Sequence, residues 1–183
     1  MSKALLVIDY TNDFVAEDGA LTCGAPGREI EHAIVECVKE AVEKEQEIFF
    51  AVDLHEPEEP DHPETKLFPP HNLRGETGRE LFGKVKELYE SIKDRPNVHW
   101  LDKTRYSAFA GTPLQMLLRQ KKIKTVVLAG VCTDICILHT AVDAYNEGFR
   151  IHVDQAHVAS FNKTGHEWAL SHFKNTLGAE VKR

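Results

Sequence analysis

A three-layer α/β/α sandwich around a mostly parallel, Rossmann-like central sheet is the fold class that this sequence predicts. Segments with strand and helix patterning alternate along the whole chain. The strand segments are continuous apolar runs rather than alternating ones, which suits a parallel sheet covered by helices on both faces. The scale agrees: 183 residues, 42% hydrophobic and 28% charged, suit one globular domain with a substantial core. A single domain over residues 1–183 is therefore expected.

The elements follow in order. Residues 4–8, "ALLVI", are the first apolar run and the first expected strand. Over 29–45, Ile30, Ala33, Ile34, Cys37, Val38, Ala41 and Val42 recur at helical spacing. Residues 48–52 read as a second strand, and 78–92 as a helix with Leu81, Phe82, Val85, Leu88 and Tyr89 on one face. A short strand is expected at 98–101. A helix over 113–121 follows, with Pro113 at its start and Thr112 as N-cap. Residues 125–129 form the next long strand, and 133–147 a helix closed by Gly148. A further strand at 150–153 and a last helix at 163–177, closed by Gly178, complete the alternation. Between the second strand and its helix runs a proline-rich loop, 56–74, long enough to suggest function rather than connection.

Composition excludes some partners. Net charge is −7 with no basic tract, which argues against nucleic acid or an anionic membrane surface. The apolar stretch in "MSKALLVIDY" is too short for a signal peptide, and no stretch is long enough to span a membrane, so the cytosol is the expected location. Four cysteines, Cys23, Cys37, Cys132 and Cys136, are expected to be free thiols.

Ligands of open parallel α/β sheets bind beyond the carboxyl ends of the strands. At those ends stand Asp9, then Asp53 and His55, then Lys103, then "VCTDIC" with Cys136 in the first turn of a helix. Taken alone, Cys136 reads as a buried helix thiol, Asp9 as a cap and Lys103 as a solvated surface residue. Together at one edge they read as a nucleophile, a base for its proton and a cation for its charge. The helix N-terminus would favour the thiolate, and its N–H groups an oxyanion. His139 is a rival base, three residues further along. Cys132 is a second candidate nucleophile, better placed as an N–H donor. Cys132 and Cys136 as a zinc pair lack a further Cys/His pair of suitable spacing.

The proline-rich loop carries a second chemistry. Asp53 and His55 are two apart in an extended segment, so their side chains project to the same side and can bind one ion. Glu64 or His62, together with His71, would close the site. Mixed nitrogen and oxygen ligands suit zinc, manganese or iron better than calcium. The bland alternative is a solvated acidic loop with incidental histidines.

With these residues assembled, the chain resembles the nicotinamidases of the isochorismatase-like cysteine hydrolase superfamily, and it does so along nearly its whole length. "VIDYTNDF" (7–14) resembles the motif of the catalytic aspartate, here Asp9. "DLHEPEEPDHPETKLFPPHNLRGE" resembles the metal loop, with Asp53, His55 and His71 as ligands and Glu64 at the position of an extra ligand; His62 has no firm match. "DKTRYSAF" (102–109) carries the matching Lys103, and "GVCTDICILHTA" (130–141) the nucleophile Cys136.

The resemblance implies the isochorismatase-like hydrolase fold and hydrolysis of nicotinamide to nicotinate and ammonia through a Cys136 thioester. Pyrazinamide is a further expected substrate. It implies an oxyanion hole from the N–H groups of Cys132 and Cys136, a cis peptide at 131–132, and one divalent transition metal, Zn2+ ahead of Mn2+ or Fe2+. Phe14, Phe68 and Tyr106 are candidates to wall the aromatic ring. A homo-oligomer is expected. The rival readings are an amidase of the same superfamily acting on a ureido or carbamoyl substrate, whose members generally lack the metal loop, and a metallohydrolase in which metal-bound water attacks.

Overall fold

The computed structural model describes residues 2–182. Six strands form one sheet: β1 (Lys3–Ile8), β2 (Glu47–Asp53), β3 (Val98–Lys103), β4 (Thr125–Val131), β5 (Arg150–Ala159) and β6 (Glu180–Lys182). Their order across the sheet is β3-β2-β1-β4-β5-β6, and every pairing is parallel. The helices are α1 (Asn12–Val15), α2 (Ala25–Glu29), α3 (Glu31–Glu43), α4 (Gly83–Ile92), α5 (Leu114–Gln120), α6 (Leu138–Asn146) and α7 (Lys163–Asn175).

The continuous apolar runs have a direct cause. Side chains alternate across each strand, and both faces of this sheet are covered. In β1, Ala4, Leu6 and Ile8 enter one core, with Phe49, Leu128, Leu118 and Phe173. Leu5 and Val7 enter the other, with Ile34, Val38, Phe50 and Val85. The three layers expected from sequence are thus present, and the sheet is wholly rather than mostly parallel. The strand order turns back at β1 and β4, so their carboxyl ends flank the crevice where such sheets hold ligands.

Several boundaries differ from the sequence reading. The helix expected at 29–45 is α3, Glu31–Glu43, and a separate short helix, α2, precedes it across Ile30. The helix expected from residue 78 begins at Gly83. Before it, Thr77–Arg79 is a 3-10 turn, and the buried Leu81 makes an antiparallel bridge to Thr11. That distant pairing overrides a locally helical pattern. The strand expected at 150–153 runs on to Ala159, because after a register shift Val158 and Ala159 pair with Gly130 and Val131. β6 is too short to leave a pattern and exists through its pairing with β5.

Candidate active site

The carboxyl ends of four neighbouring sheet strands bring their side chains to one place. Asp9 directly follows β1, Asp53 ends β2 and Lys103 ends β3. Cys136 lies in a π-helical turn, Thr133–Ile137, between β4 and α6. The chain bends sharply at Asp9, whose φ is 54°; its N–H donates to Ala51 O at 3.0 Å, and Thr11 N–H donates to Asp9 O at 2.9 Å. In-register pairing of β2 with β3 sets Asp53 beside Lys103.

Lys103 is the centre of the arrangement. It is fully buried, with Nζ 2.7 Å from Asp9 Oδ2 and 2.5 Å from Asp53 Oδ1. It donates to Arg105 O at 3.1 Å and stands 3.7 Å from Cys136 Sγ. Burial opposes its charge, but Asp53 and then Asp9 outweigh that and hold its pKa well above the ordinary value. Burial raises Asp9 to about 6; Asp53 adds to the rise and Lys103 opposes it. The Cys136 thiol is also pushed well up, by burial first, against the pull of Lys103 and with the push of Asp9. The sequence reading has the helix start favouring the thiolate; in the fold, desolvation of the buried sulfur acts the other way and favours the protonated thiol, which stands beside Asp9 and Lys103.

The backbone around the thiol is irregular. The peptide Val131–Cys132 is cis. Ile135 and Ile137 N–H both donate to Cys132 O, at 3.1 and 3.2 Å, and the intervening Cys136 N–H makes no such bond. Among the described residues Cys132 N–H has no acceptor either.

Asp53, His55, Glu64 and His71 are all buried, and one ligand atom from each lies within 4.8 Å of the others. Among the described residues Asp53 Oδ2, His55 Nε2 and His71 Nε2 have no hydrogen-bond partner. Three orphaned polar atoms converging in a buried cluster are what a cation would satisfy, so the donor set fits a metal. His71 Nδ1–H donates to Pro69 O at 2.8 Å, which leaves the Nε2 lone pair free. Burial lowers the pKa of His55, favouring the neutral ring a metal needs. His62 is not one of the group. Its Nδ1 accepts from Glu64 N at 3.2 Å, capping the 3-10 turn Pro63–Lys66 that carries Glu64, and its Nε2–H donates to Thr104 O at 2.7 Å, so both nitrogens are occupied.

Phe14, Phe68 and Tyr106 line a cavity of about 390 Å³ with Asp53, Cys132 and Cys136. His139 lines a separate outer groove with Trp168, and its Nδ1–H donates to Ile135 O at 2.8 Å.

The isochorismatase domain family model matches residues 3–182. This chain belongs to the isochorismatase family. It is similar to the crystal structure of a nicotinamidase/pyrazinamidase from Bacillus subtilis, at 58% identity and a TM-score of 0.99 over 100% of both chains. A pyrazinamidase/nicotinamidase from Streptococcus mutans UA159 is 50% identical with a TM-score of 0.97, over 98% of this chain and 99% of that one. A pyrazinamidase of Pyrococcus horikoshii, crystallised in complex with zinc, is 26% identical with a TM-score of 0.86 over 100% of this chain and 99% of that one.

Sequence reasoning missed three wall residues of this isochorismatase-family pocket, Leu21, Ile135 and Phe161. Phe161 had a usable signal: it stands just beyond β5, and the rule of strand carboxyl ends would have found it had the strand not been ended at 153. Leu21 sits in a turn with no motif of its own. Among the described residues no helix is long and apolar enough to cross a membrane.

Proposed function

We propose that this chain is a nicotinamidase, a cysteine amidohydrolase that converts nicotinamide to nicotinate and ammonia and also accepts pyrazinamide. The observation that carries the reading is the buried Lys103 ammonium, held between Asp9 and Asp53 with Cys136 Sγ 3.7 Å away. Full-length likeness to the Bacillus subtilis nicotinamidase/pyrazinamidase supports it.

Asp9 takes the thiol proton as Cys136 sulfur attacks the amide carbonyl carbon. Lys103 stays charged and offsets the negative charge on Asp9 and the sulfur. The N–H groups of Cys132 and Cys136 receive the oxyanion. Asp9 then protonates the departing nitrogen, the C–N bond breaks and ammonia leaves. Water adds to the thioester, giving Asp9 a proton. The C–S bond breaks, nicotinate is released, and the proton returns to sulfur. Phe14, Phe68 and Tyr106 pack the pyridine ring. Asp53, His55, Glu64 and His71 would hold one divalent transition metal, Zn2+ ahead of Mn2+ or Fe2+, which supplies a Lewis-acid anchor for the ring nitrogen.

A single catalytic domain over 1–183, a cytosolic location and a homo-oligomer belong to the same proposal; the absence of disulfides supports the location. The test is ammonia release from nicotinamide before and after chelation. Turnover that thiol alkylation abolishes supports the reading. Turnover that survives alkylation points to metal-bound water as nucleophile, and release from a ureido substrate but not from nicotinamide points to the other amidases of the superfamily.

A further inference from the structure

Two residues at the start of α1 face away from the task their types suit. Thr11 is the N-cap of α1, where a threonine hydroxyl ordinarily accepts a backbone N–H of the first turn, but it makes no capping bond. Its hydroxyl instead donates to Asn72 Oδ1 at 2.9 Å, across 61 positions of sequence. Asp13, in the first turn, likewise reaches across: its Oδ2 accepts Asn72 N–H at 2.7 Å, and its Oδ1 accepts Ala20 N–H at 3.3 Å.

Asn72 is fully buried and follows His71 directly. Its φ of 46° lies in the left-handed region, which asparagine tolerates better than most residues. Its carbonyl accepts His55 N–H at 3.1 Å, and His55 O accepts Arg74 N–H at 2.9 Å, so the segment after His71 is paired to the end of β2. Among the described residues Asn72 Nδ2 has no partner, which leaves the Thr11 hydroxyl as the anchor of its side chain. Thr11 N–H, in turn, holds Asp9 O at 2.9 Å. One hydroxyl therefore joins the turn that carries Asp9 to the segment that carries His71 and pairs with His55.

We propose that Thr11 and Asn72 are positioning residues that set metal affinity, by locking His55 and His71 in one frame with the Asp9 turn. The inference rests on the metal reading above and goes beyond it, because neither residue is a ligand. Groups that orient ligands from behind typically govern metal affinity by about 10–100-fold.

The experiment measures Zn2+ affinity of the metal-free protein by competition with a chromophoric chelator, with the melting temperature of the metal-free form recorded alongside. Thr11→Val keeps shape and loses the hydroxyl; Thr11→Ser keeps the hydroxyl. We expect Thr11→Val to bind Zn2+ about 10–100-fold more weakly and Thr11→Ser to stay within about threefold of the parent. Asn72→Gly tolerates the same backbone angle, removes the acceptor and should weaken Zn2+ to the same degree, so it serves if Thr11→Val does not fold. Parental affinity in Thr11→Val or Asn72→Gly overturns the inference. So does an equal loss in Thr11→Ser, which would assign the effect to packing. If the parent takes up no Zn2+, the metal reading itself fails, a result distinct from either.

Discussion

In the proposed mechanism the chemistry turns on Cys136, and that assignment can be tested directly. Replacing its thiol by alanine removes one buried atom beside Lys103, so Cys136→Ala should fold with a stability loss of only about 1 kcal/mol. Turnover should fall by at least about 1,000-fold, because the proposed thioester forms on this sulfur. Mass spectrometry of the parent with a slow substrate should find the acyl group on Cys136; an adduct on Cys132 would reassign the nucleophile. The metal ligands make a second test at this scale. Asp53→Ala and His71→Ala should lose most bound metal, since each removes an orphaned atom of the buried cluster. Glu64→Ala should lose more than His62→Ala, because both His62 nitrogens are occupied, one by Glu64 N and the other by Thr104 O. Metal analysis after dialysis decides between them, and the reverse order would show that the fourth ligand is misassigned.

At the scale of elements, the approach of β1 to β4 sets the site's geometry. Gly130 has a φ of 117°, and a Cβ added there would stand 1.9 Å from Ile8 O. Both strands are central, and the contact is backbone against backbone, so neither can move without disturbing Asp9 or the turn of Cys136. Gly130→Ala should cost more than about 4 kcal/mol, or prevent folding. Gly148 closes α6 at a φ of 73° with nothing within 4 Å of an added Cβ. Gly148→Ala should cost only about 1–2 kcal/mol, from backbone strain alone. Urea denaturation of both variants compares them, and equal losses would show that strand proximity is not what requires glycine at 130.

The whole molecule decides substrate choice, because pocket and metal group come from segments that only the complete sheet assembles. Asp53 belongs both to the metal group and to the ion pair with Lys103, so the two chemistries are joined at one carboxylate. In the proposed mechanism a ring nitrogen toward His55 and His71 and an amide toward Cys136 must be satisfied together. Nicotinamide and pyrazinamide offer both ends, and benzamide lacks the nitrogen. A carbonyl misplaced by about 1 Å can lose on the order of 100-fold in rate, so kcat/KM for benzamide should be lower by at least that factor. Equal values for the three amides would show that the metal group does not orient the ring.

The sequence by itself determined the layers, the parallel sheet and the edge at which Asp9, Asp53, Lys103 and Cys136 meet, because continuous apolar runs report burial on both faces and the strand ends then follow by rule. Asp53 and His55 were equally legible, since an extended backbone alone sets their common side. Glu64 and His62 could not be separated that way. They are two residues apart in one loop, and the choice lies in whether the imidazole nitrogens find Glu64 N and Thr104 O, a partner 42 positions distant. The Thr11 hydroxyl, which local rules assign to a helix cap, goes to Asn72 for the same reason. The direction in which Cys136 is pushed was also out of reach, because desolvation depends on how completely the other segments close over the thiol. What patterning along the chain encodes was readable; what depends on hydrogen-bond partners and burial supplied from elsewhere was decided only when the sheet and loop came together.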